Sequence, residues 1–552
     1  MEGRNRSGAT CWETPVTHTT DVLIVGAGPV GLSAAAELRR HGAGCRLVER
    51  LPARLPYARA VGIQPRTIEL WDRMGLARTV VEQAVPLRGQ LNYVDGEETA
   101  RVELTLPPEV PYGFAALPQY EVERIIEEYL NGLGTAVERG TELLSFAQDA
   151  DGVTVRLRSA AGAEEDVRVR YLVGCDGAHS TVRKGLGLDF PGGAFTEEYM
   201  LGDVVADWDL PAGYAVRSEH RGADGATDDL LVCIPLPGPG RYRMSMRVPP
   251  ELSELPGLSA DDTDGADAVA HGPLSGRRLP ELPDLQEVVD RLAPRPATLS
   301  QLRWSSVFRI SHRIVDRYGE GRVFVAGDAA HIHPPIGAQG MNTGIQDACN
   351  LAWKLALVLR GEAGPALLAS YDAERRPVGE EVVGRTVRRT VHGTAADPDD
   401  PRTVLLREAQ LLVGYRGGPL ATAPYGPADV PQPGDRAPDC AGLTTPVAAY
   451  PLRLLDILRD RPDHVVLLYA ADPTDVIKAV LAPGWDVLAI RAEDGTHVPL
   501  VPEYRDTAGE FARLYRPDGP TGFVVRPDGH LGARFPLADT ETALADYREA
   551  LG

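Results

Sequence analysis

Asp21-Val-Leu-Ile-Val-Gly26-Ala-Gly28-Pro29-Val30-Gly31-Leu-Ser-Ala-Ala-Ala is the stretch on which the fold turns. Residues 22–25 are apolar and mostly β-branched, the composition of a strand covered on both faces. Gly26 permits a sharp turn. Gly28 has no Cβ, so a pyrophosphate can approach the backbone. Gly31 lets the following helix pack closely on the strand. That helix begins around Pro29 and Val30 and carries Leu32, Ala35, Ala36 and Leu38 on its apolar side. Its first N–H groups and its dipole favour a diphosphate. A second strand, Cys45-Arg-Leu-Val-Glu49-Arg50, brings Glu49 to the place where a ribose hydroxyl meets a carboxylate, roughly 20 residues after the glycines.

Far downstream, Arg322-Val-Phe-Val-Ala-Gly327-Asp328-Ala-Ala-His331 repeats the pattern of buried strand, tight turn and helix. Two such segments suit one long dinucleotide held at both ends, FAD rather than NAD. No second Gly-x-Gly-x-x-Gly occurs, so a separate NADPH domain is not expected. There is no Gly-x-Ser-x-Gly and no Gly-x-x-x-x-Gly-Lys, which removes the α/β-hydrolase and P-loop readings.

The chain has 552 residues, more than one ordinary core holds, so two or three domains are expected. A net charge of -21 disfavours nucleic acid and anionic membrane as partners. The six cysteines are scattered without a Cys-x-x-Cys pair, which indicates neither zinc nor a disulfide framework. His331 and His333 form an H-x-H pair with no acid or cysteine cluster beside it, so no metal is expected. Residues 1–20 are polar and read as a disordered tail. They lack the apolar core of a signal peptide, and cytoplasm is the default location.

The pattern along the chain predicts an α/β protein. A discontinuous, Rossmann-like FAD-binding domain takes residues 21–84, 118–190 and 305–394, re-entered by strands at 307–310 and 323–326. Helices are expected at 67–74, at 119–133 and after Asn342. An antiparallel-sheet domain takes 85–117 and 191–304, with a surface loop at 251–283. Residues 395–439 read as a Pro- and Gly-rich linker holding one helix at 402–413. A third unit of strands and helices fills 440–552.

With both glycine segments placed, the chain resembles the class A flavoprotein aromatic monooxygenases, most closely the phenol-hydroxylase type that tailors aromatic polyketides. Three motifs carry the resemblance: the first glycine segment with Glu49; Asp176-Gly177-Ala-His-Ser180-Thr-Val-Arg183; and Gly327-Asp328-Ala-Ala-His331-Ile-His-Pro334-Pro335-Ile-Gly337-Ala-Gln-Gly340-Met341-Asn342. Tyr371-Asp-Ala-Glu374-Arg375-Arg376-Pro377 also matches.

The resemblance implies FAD held by Gly26, Gly28, Pro29, Val30, Gly31, Glu49, Arg50, Arg59, Gln119, Asp176, Gly327, Asp328, Gly340, Met341 and Asn342. Asp328 would take the ribityl chain, and Asp176-Gly177 would also meet a passing NADPH. Pro334, Pro335 and Gly337 would border the reactive edge of the flavin. The implied reaction is hydroxylation of an aromatic or polycyclic substrate with NADPH and O2, through a flavin C4a-hydroperoxide. Baeyer–Villiger oxidation, epoxidation and a non-redox, FAD-scaffolded cyclase or binding protein stay open as alternatives. The resemblance also implies a thioredoxin-like fold for 440–552 and a monomer or homodimer. All three flavin motifs lie before residue 430, so the third unit is expected to be dispensable for FAD binding. Trp304 and Tyr242 are candidates for a substrate cavity, although aromatics in strands are more often core.

Overall fold

The computed structural model describes residues 19–56, 60–223, 225, 227–249, 279–392, 399–474, 476–477, 485–492 and 501–552. Strand β1 (Thr19–Val25) leads through helix α1 (Pro29–Arg40) to β2 (Cys45–Glu49). β1 lies between β2 and β3 (Glu164–Gly174), parallel to both. Val22, Leu23 and Ile24 are 0% exposed, as a strand covered on both faces requires. An antiparallel pair, Glu142–Gln148 with Val153–Arg158, is appended to the N-terminal part of β3.

β4 (Gly192–Asp207) and β5 (Thr298–Ile314) are the long strands of a second, eight-stranded sheet. Met200 and Val204 on one face of β4 join a core with Leu285, Val288 and Val289 of the helix Leu282–Leu292. Tyr199, Leu201 and Asp203 alternate onto the other face, as a period of two demands. The 85–117 region contributes the hairpin Gly89–Val94 and Glu97–Glu103, which turns at Asp95-Gly96 and enters this sheet beside Tyr214–Arg221.

Four expectations are corrected. Of the expected tail at 1–20, residues 1–18 lie outside the described residues, and Thr19 and Thr20 already belong to β1. Residues 307–310 are not a strand of the first domain. They lie inside β5, with Phe308 opposite Tyr199 and Val307 opposite Met200. A short apolar run shows that a strand is buried but not which sheet buries it. Of the expected loop at 251–283, residues 251–278 lie outside the described residues, and Leu282 and Pro283 already form the first turn of the helix Leu282–Leu292. The helix expected at 402–413 is Pro401–Glu408, and Gln410 beyond it turns left-handed at φ +58.

The chain joins the first sheet through β6 (Val323–Val325), parallel to β3. It then makes the short turn Gly327–Ala329 and returns to the second sheet, where Ile332 pairs with Arg313 and His331 with Ile314. Helix α2 (Gln339–Arg360) follows and packs on α1, and helix α3 (Ala369–His392) comes after it. Beyond the helix Pro401–Glu408, the Pro- and Gly-rich stretch is irregular but packed, with Tyr415, Leu420 and Val430 buried.

The last sheet has the order Leu443–Thr444, Glu503–Asp506, Asp486–Arg491, Val465–Tyr469, Thr521–Val525, Leu531–Pro536. Val465–Tyr469 runs parallel to Asp486–Arg491 and antiparallel to Thr521–Val525. This unit is tied to α2 and α3 by buried charges. Arg526 donates to both oxygens of Glu374, at 2.7 and 2.8 Å, and Asp528 accepts from Asn350 and Trp353.

Candidate functional site

The three glycines of the first turn have three different surroundings. Gly26 takes φ +99, and a Cβ there would lie 2.4 Å from the Cys175 carbonyl oxygen. A Cβ on Gly31 would lie 1.9 Å from the Gly26 carbonyl oxygen, so the helix sits directly against the turn. A Cβ on Gly28 would meet nothing within 4 Å. That open space lies at the N-cap of α1, with Pro29 at its first position. An anion there meets unsatisfied N–H groups and no side chain.

Glu49 closes the other side of the turn. Its Oε2 accepts from the Ala27 N–H and its Oε1 from the Leu51 N–H, both at 2.9 Å. The carboxylate is pinned against the glycine loop, with a lone pair on each oxygen left for ribose hydroxyls. Arg50 beside it is exposed, and Arg59 lies outside the described residues. Gln119 opens the helix Gln119–Gly132 and donates to Glu123 at 2.8 Å.

Asp176 faces its own loop. It accepts from Ser180 Oγ at 2.5 Å and from the N–H groups of Thr181 and Val182, and so caps the short helix Thr181–Gly185. Burial pushes its pKa up. With the carboxylate occupied in this way, it is the backbone of this motif that borders the glycine turn: the Asp176 Cα would stand 2.9 Å from a Cβ on Gly26.

The second glycine segment reaches the first through Val30. A Cβ on Gly327 or Gly344 would lie 2.8 or 2.7 Å from the Val30 methyls, so Val30 is the wedge between α1, the turn and α2. Asp328, in that turn, is exposed and makes no side-chain hydrogen bond among the described residues. Its turn is held from behind by a residue absent from the motif reading. The buried Asp347 on α2 accepts from the Gly327 N–H at 3.2 Å, from His331 Nε2 at 2.7 Å and from Arg375 Nε at 2.7 Å. The guanidinium and the imidazole hold the Asp347 carboxyl below its usual range against the opposing effect of burial. His333 stacks on His331, and burial pushes its pKa down to about 4.

α2 begins at Gln339, ahead of the start expected after Asn342, because Gly337 and Ala338 both turn left-handed, at φ +73 and +54. The Gly337 carbonyl accepts from Gln64 Nε2 at 2.5 Å. Asn342 is fully buried. It accepts from the Gln64 N–H and donates to the Gly62 and Ala338 carbonyls, at 2.9, 3.0 and 2.7 Å. Its amide is therefore consumed inside the protein. What the helix start offers a ligand is the backbone N–H groups of its first turn, at Gly340 and Met341. Gln64 is the N-cap residue between the short strand Gly62–Ile63 and the helix Pro65–Arg73, and nothing in its local sequence marks it for this contact. Pro334 is buried and Pro335 is exposed on the same loop.

The open space at Gly28, the pinned Glu49 and the unengaged Asp328 fit a dinucleotide. A family model for the FAD binding domain matches residues 19–256 and 276–386. The chain belongs to that FAD-binding family. It is 34% identical over 563 residues to a 6-methylpretetramide 4-monooxygenase of Streptomyces rimosus, covering 96% of this chain and 93% of the relative. It is 30% identical to a pentachlorophenol 4-monooxygenase of Sphingobium chlorophenolicum, over 93% of each chain. Among solved structures it resembles a ternary complex of aklavinone-11 hydroxylase with FAD and aklavinone, at TM-score 0.73 and 28% identity, covering 96% of this chain and 99% of that one. The protein is an FAD-dependent aromatic monooxygenase of class A.

Proposed function

We propose that the protein uses NADPH and O2 to hydroxylate an aromatic or polycyclic, polyketide-like substrate. The observation that carries this reading is the junction at Val30, which sets the open Gly28 turn beside the Gly327–Asp328 turn, so that one dinucleotide can meet both. FAD, when bound, supplies hydride acceptance and oxygen activation at C4a. The residues of the chain bind and orient it. Gly28 and the start of α1 take the diphosphate, Glu49 the ribose and Asp328 the ribityl hydroxyls. The first turn of α2 offers its N–H groups to the electron-accepting edge, where partial positive charge favours an anionic ring.

The face of the second sheet opposite the helix Leu282–Leu292 serves as the substrate platform in this reading. Tyr199, Leu201 and Phe308 cluster there with Trp304. Trp304 is held by an Nε1–H donation to Asp203 at 2.9 Å, and the buried Arg243 pairs with that aspartate and lies over the indole, 4.8 Å from its centre. Tyr242, by contrast, packs edge-on against Trp208 in the core of the other face.

The domains in this reading are residues 21–84, 118–190 and 315–394 for FAD, 85–117 with 191–314 for the substrate sheet, and 395–439 as the linker to the last unit. The last sheet and its closing helix Thr540–Leu551 form a thioredoxin-like unit. It does no disulfide chemistry, since its lone Cys440 is buried with its pKa pushed up.

The test is NADPH consumption by the FAD-loaded protein with and without a panel of phenols and aromatic polyketides, followed by mass analysis of the product. Substrate-stimulated consumption with the gain of one oxygen is the expected result. FAD binding with no hydride uptake under any substrate would overturn the redox reading.

A further inference from the structure

Behind the 331–339 loop, between α3 and residues 399–418, lies a groove of about 790 Å³ that the flavin reading does not use. In a chain of net charge -21 it is bordered by Arg385, Arg388, Arg389, Arg407 and Arg416. Three of these are neutralised: Arg389 pairs with Glu408, Arg407 with Asp399 and Arg416 with Asp435. Glu374, also on the wall, is occupied by Lys354 and Arg526.

Arg385 is different. It is 5% exposed, and its Nε and one terminal nitrogen are buried without a hydrogen-bond partner. The nearest carboxylates, Glu381 and Glu408, stand at 3.7 and 3.9 Å, beyond hydrogen-bond reach. The oxygens of Glu408 are already used by Arg389 and Gln339. A buried guanidinium with unmet donors is costly, and burial works against its charge. Arg388 stands exposed one residue from Arg389 on the same wall. Pro377, Val378, Val382 and Leu412 give the groove an apolar side.

We propose that this groove is an anion-binding site, in which Arg385 and Arg388 hold a phosphate or carboxylate while the apolar wall takes the body of the molecule. Planar guanidinium forks suit both oxyanions. The groove reaches the 331–339 loop through its lining Arg389, whose partner Glu408 also accepts from Gln339 at 3.1 Å, next to Gly337. Two sources share this chemistry: the adenosine phosphates of NADPH, which rests on the proposed function, and an acidic group on the aromatic substrate.

Calorimetric titration of the FAD-loaded protein separates them. The probes are inorganic phosphate, adenosine 2′,5′-bisphosphate and salicylate, against wild type, Arg385→Gln and Arg388→Gln. Saturable binding of at least one probe is expected, weakened about tenfold or more by Arg385→Gln and several-fold by Arg388→Gln. Tighter binding of the bisphosphate assigns the nucleotide, and tighter binding of salicylate assigns the acidic substrate. Absence of saturable binding, or variants that bind as wild type does, overturns the site. Arg388→Gln alters an exposed residue and decides alone if Arg385→Gln does not fold. A wild type that binds anions through these arginines yet never oxidises NADPH would sink the redox reading and leave the groove standing.

Discussion

Arg375 Nε lies 2.7 Å from Asp347 Oδ1, and both side chains are completely buried. The same aspartate receives the Gly327 N–H, so the ion pair between α2 and α3 sets the turn that presents Asp328. Asp347→Ala leaves the arginine charge buried without its partner. Breaking such a pair costs about 3–5 kcal/mol. Urea unfolding of the apoprotein should show this loss, with weaker FAD retention in whatever folds; unchanged stability would mean the pair is not coupled to the fold.

Asp328→Ala should behave in the opposite way. The carboxylate is exposed and unengaged, so apoprotein stability should stay within about 0.5 kcal/mol. FAD affinity should fall by about 1.5–3 kcal/mol, the contribution of a charge-assisted hydrogen bond. Flavin-fluorescence titration reads this directly, and wild-type affinity would remove Asp328 from the site.

Gly28→Val and Gly31→Ala separate binding from folding. A side chain at Gly28 enters open space, so the variant should fold and lose FAD. A methyl on Gly31 would stand 1.9 Å from a carbonyl oxygen, so that variant should lose stability before any question of ligand arises. Circular dichroism melts paired with flavin content distinguish the two. A folded Gly28→Val that keeps its flavin would place the diphosphate elsewhere.

Glu123 carries a pH signature. Burial raises its pKa from the ordinary 4.5 to about 7. The folded state therefore binds the proton more tightly than the unfolded one, and stability declines as pH rises from about 4.5 through 7. Glu123→Gln keeps the acceptor for Gln119 and removes the charge. It should gain of order 1–3 kcal/mol over wild type at pH 8 and little at pH 4. Equal differences at both pH values would refute the assignment.

Removal of residues 440–552, which the order of the motifs alone marks as harmless, should instead be damaging. It strips Arg526 from Glu374 and exposes Trp353 and Asn350 on α2, the helix that begins beside Gly337. Insoluble or flavin-free truncated protein is the expected outcome. A soluble truncation with full flavin content would show that the buried charges are dispensable.

The parallel sheet, the three glycines and α2 were legible because each follows from local chemistry: β-branched runs, residues without a Cβ, apolar spacing at 3.6. The positions of 307–310 and of Asn342 were not. A four-residue apolar run looks the same in either sheet, and an asparagine at a helix start looks the same whether its amide meets a ligand or the Gln64 backbone. Asp347 was missed for a related reason. Its partners, Gly327, His331 and Arg375, come from three separate elements, and nothing on its own helix marks it as their anchor. The buried charges joining the last unit to α2 and α3 were hidden by the distance along the chain between Glu374 and Arg526.

His331 and Ile332 pair with Ile314 and Arg313 across two short rungs, three and four residues beyond Asp328. Three residues span at most about 11 Å. The turn that presents Asp328 and this edge of the second sheet are thus fastened by a tether too short to slacken. A displacement of that sheet edge pulls on Asp328. If Asp328 takes the ribityl chain as proposed, a lineage that reshapes the sheet for a new ring system has to leave this edge where it is or lose its flavin.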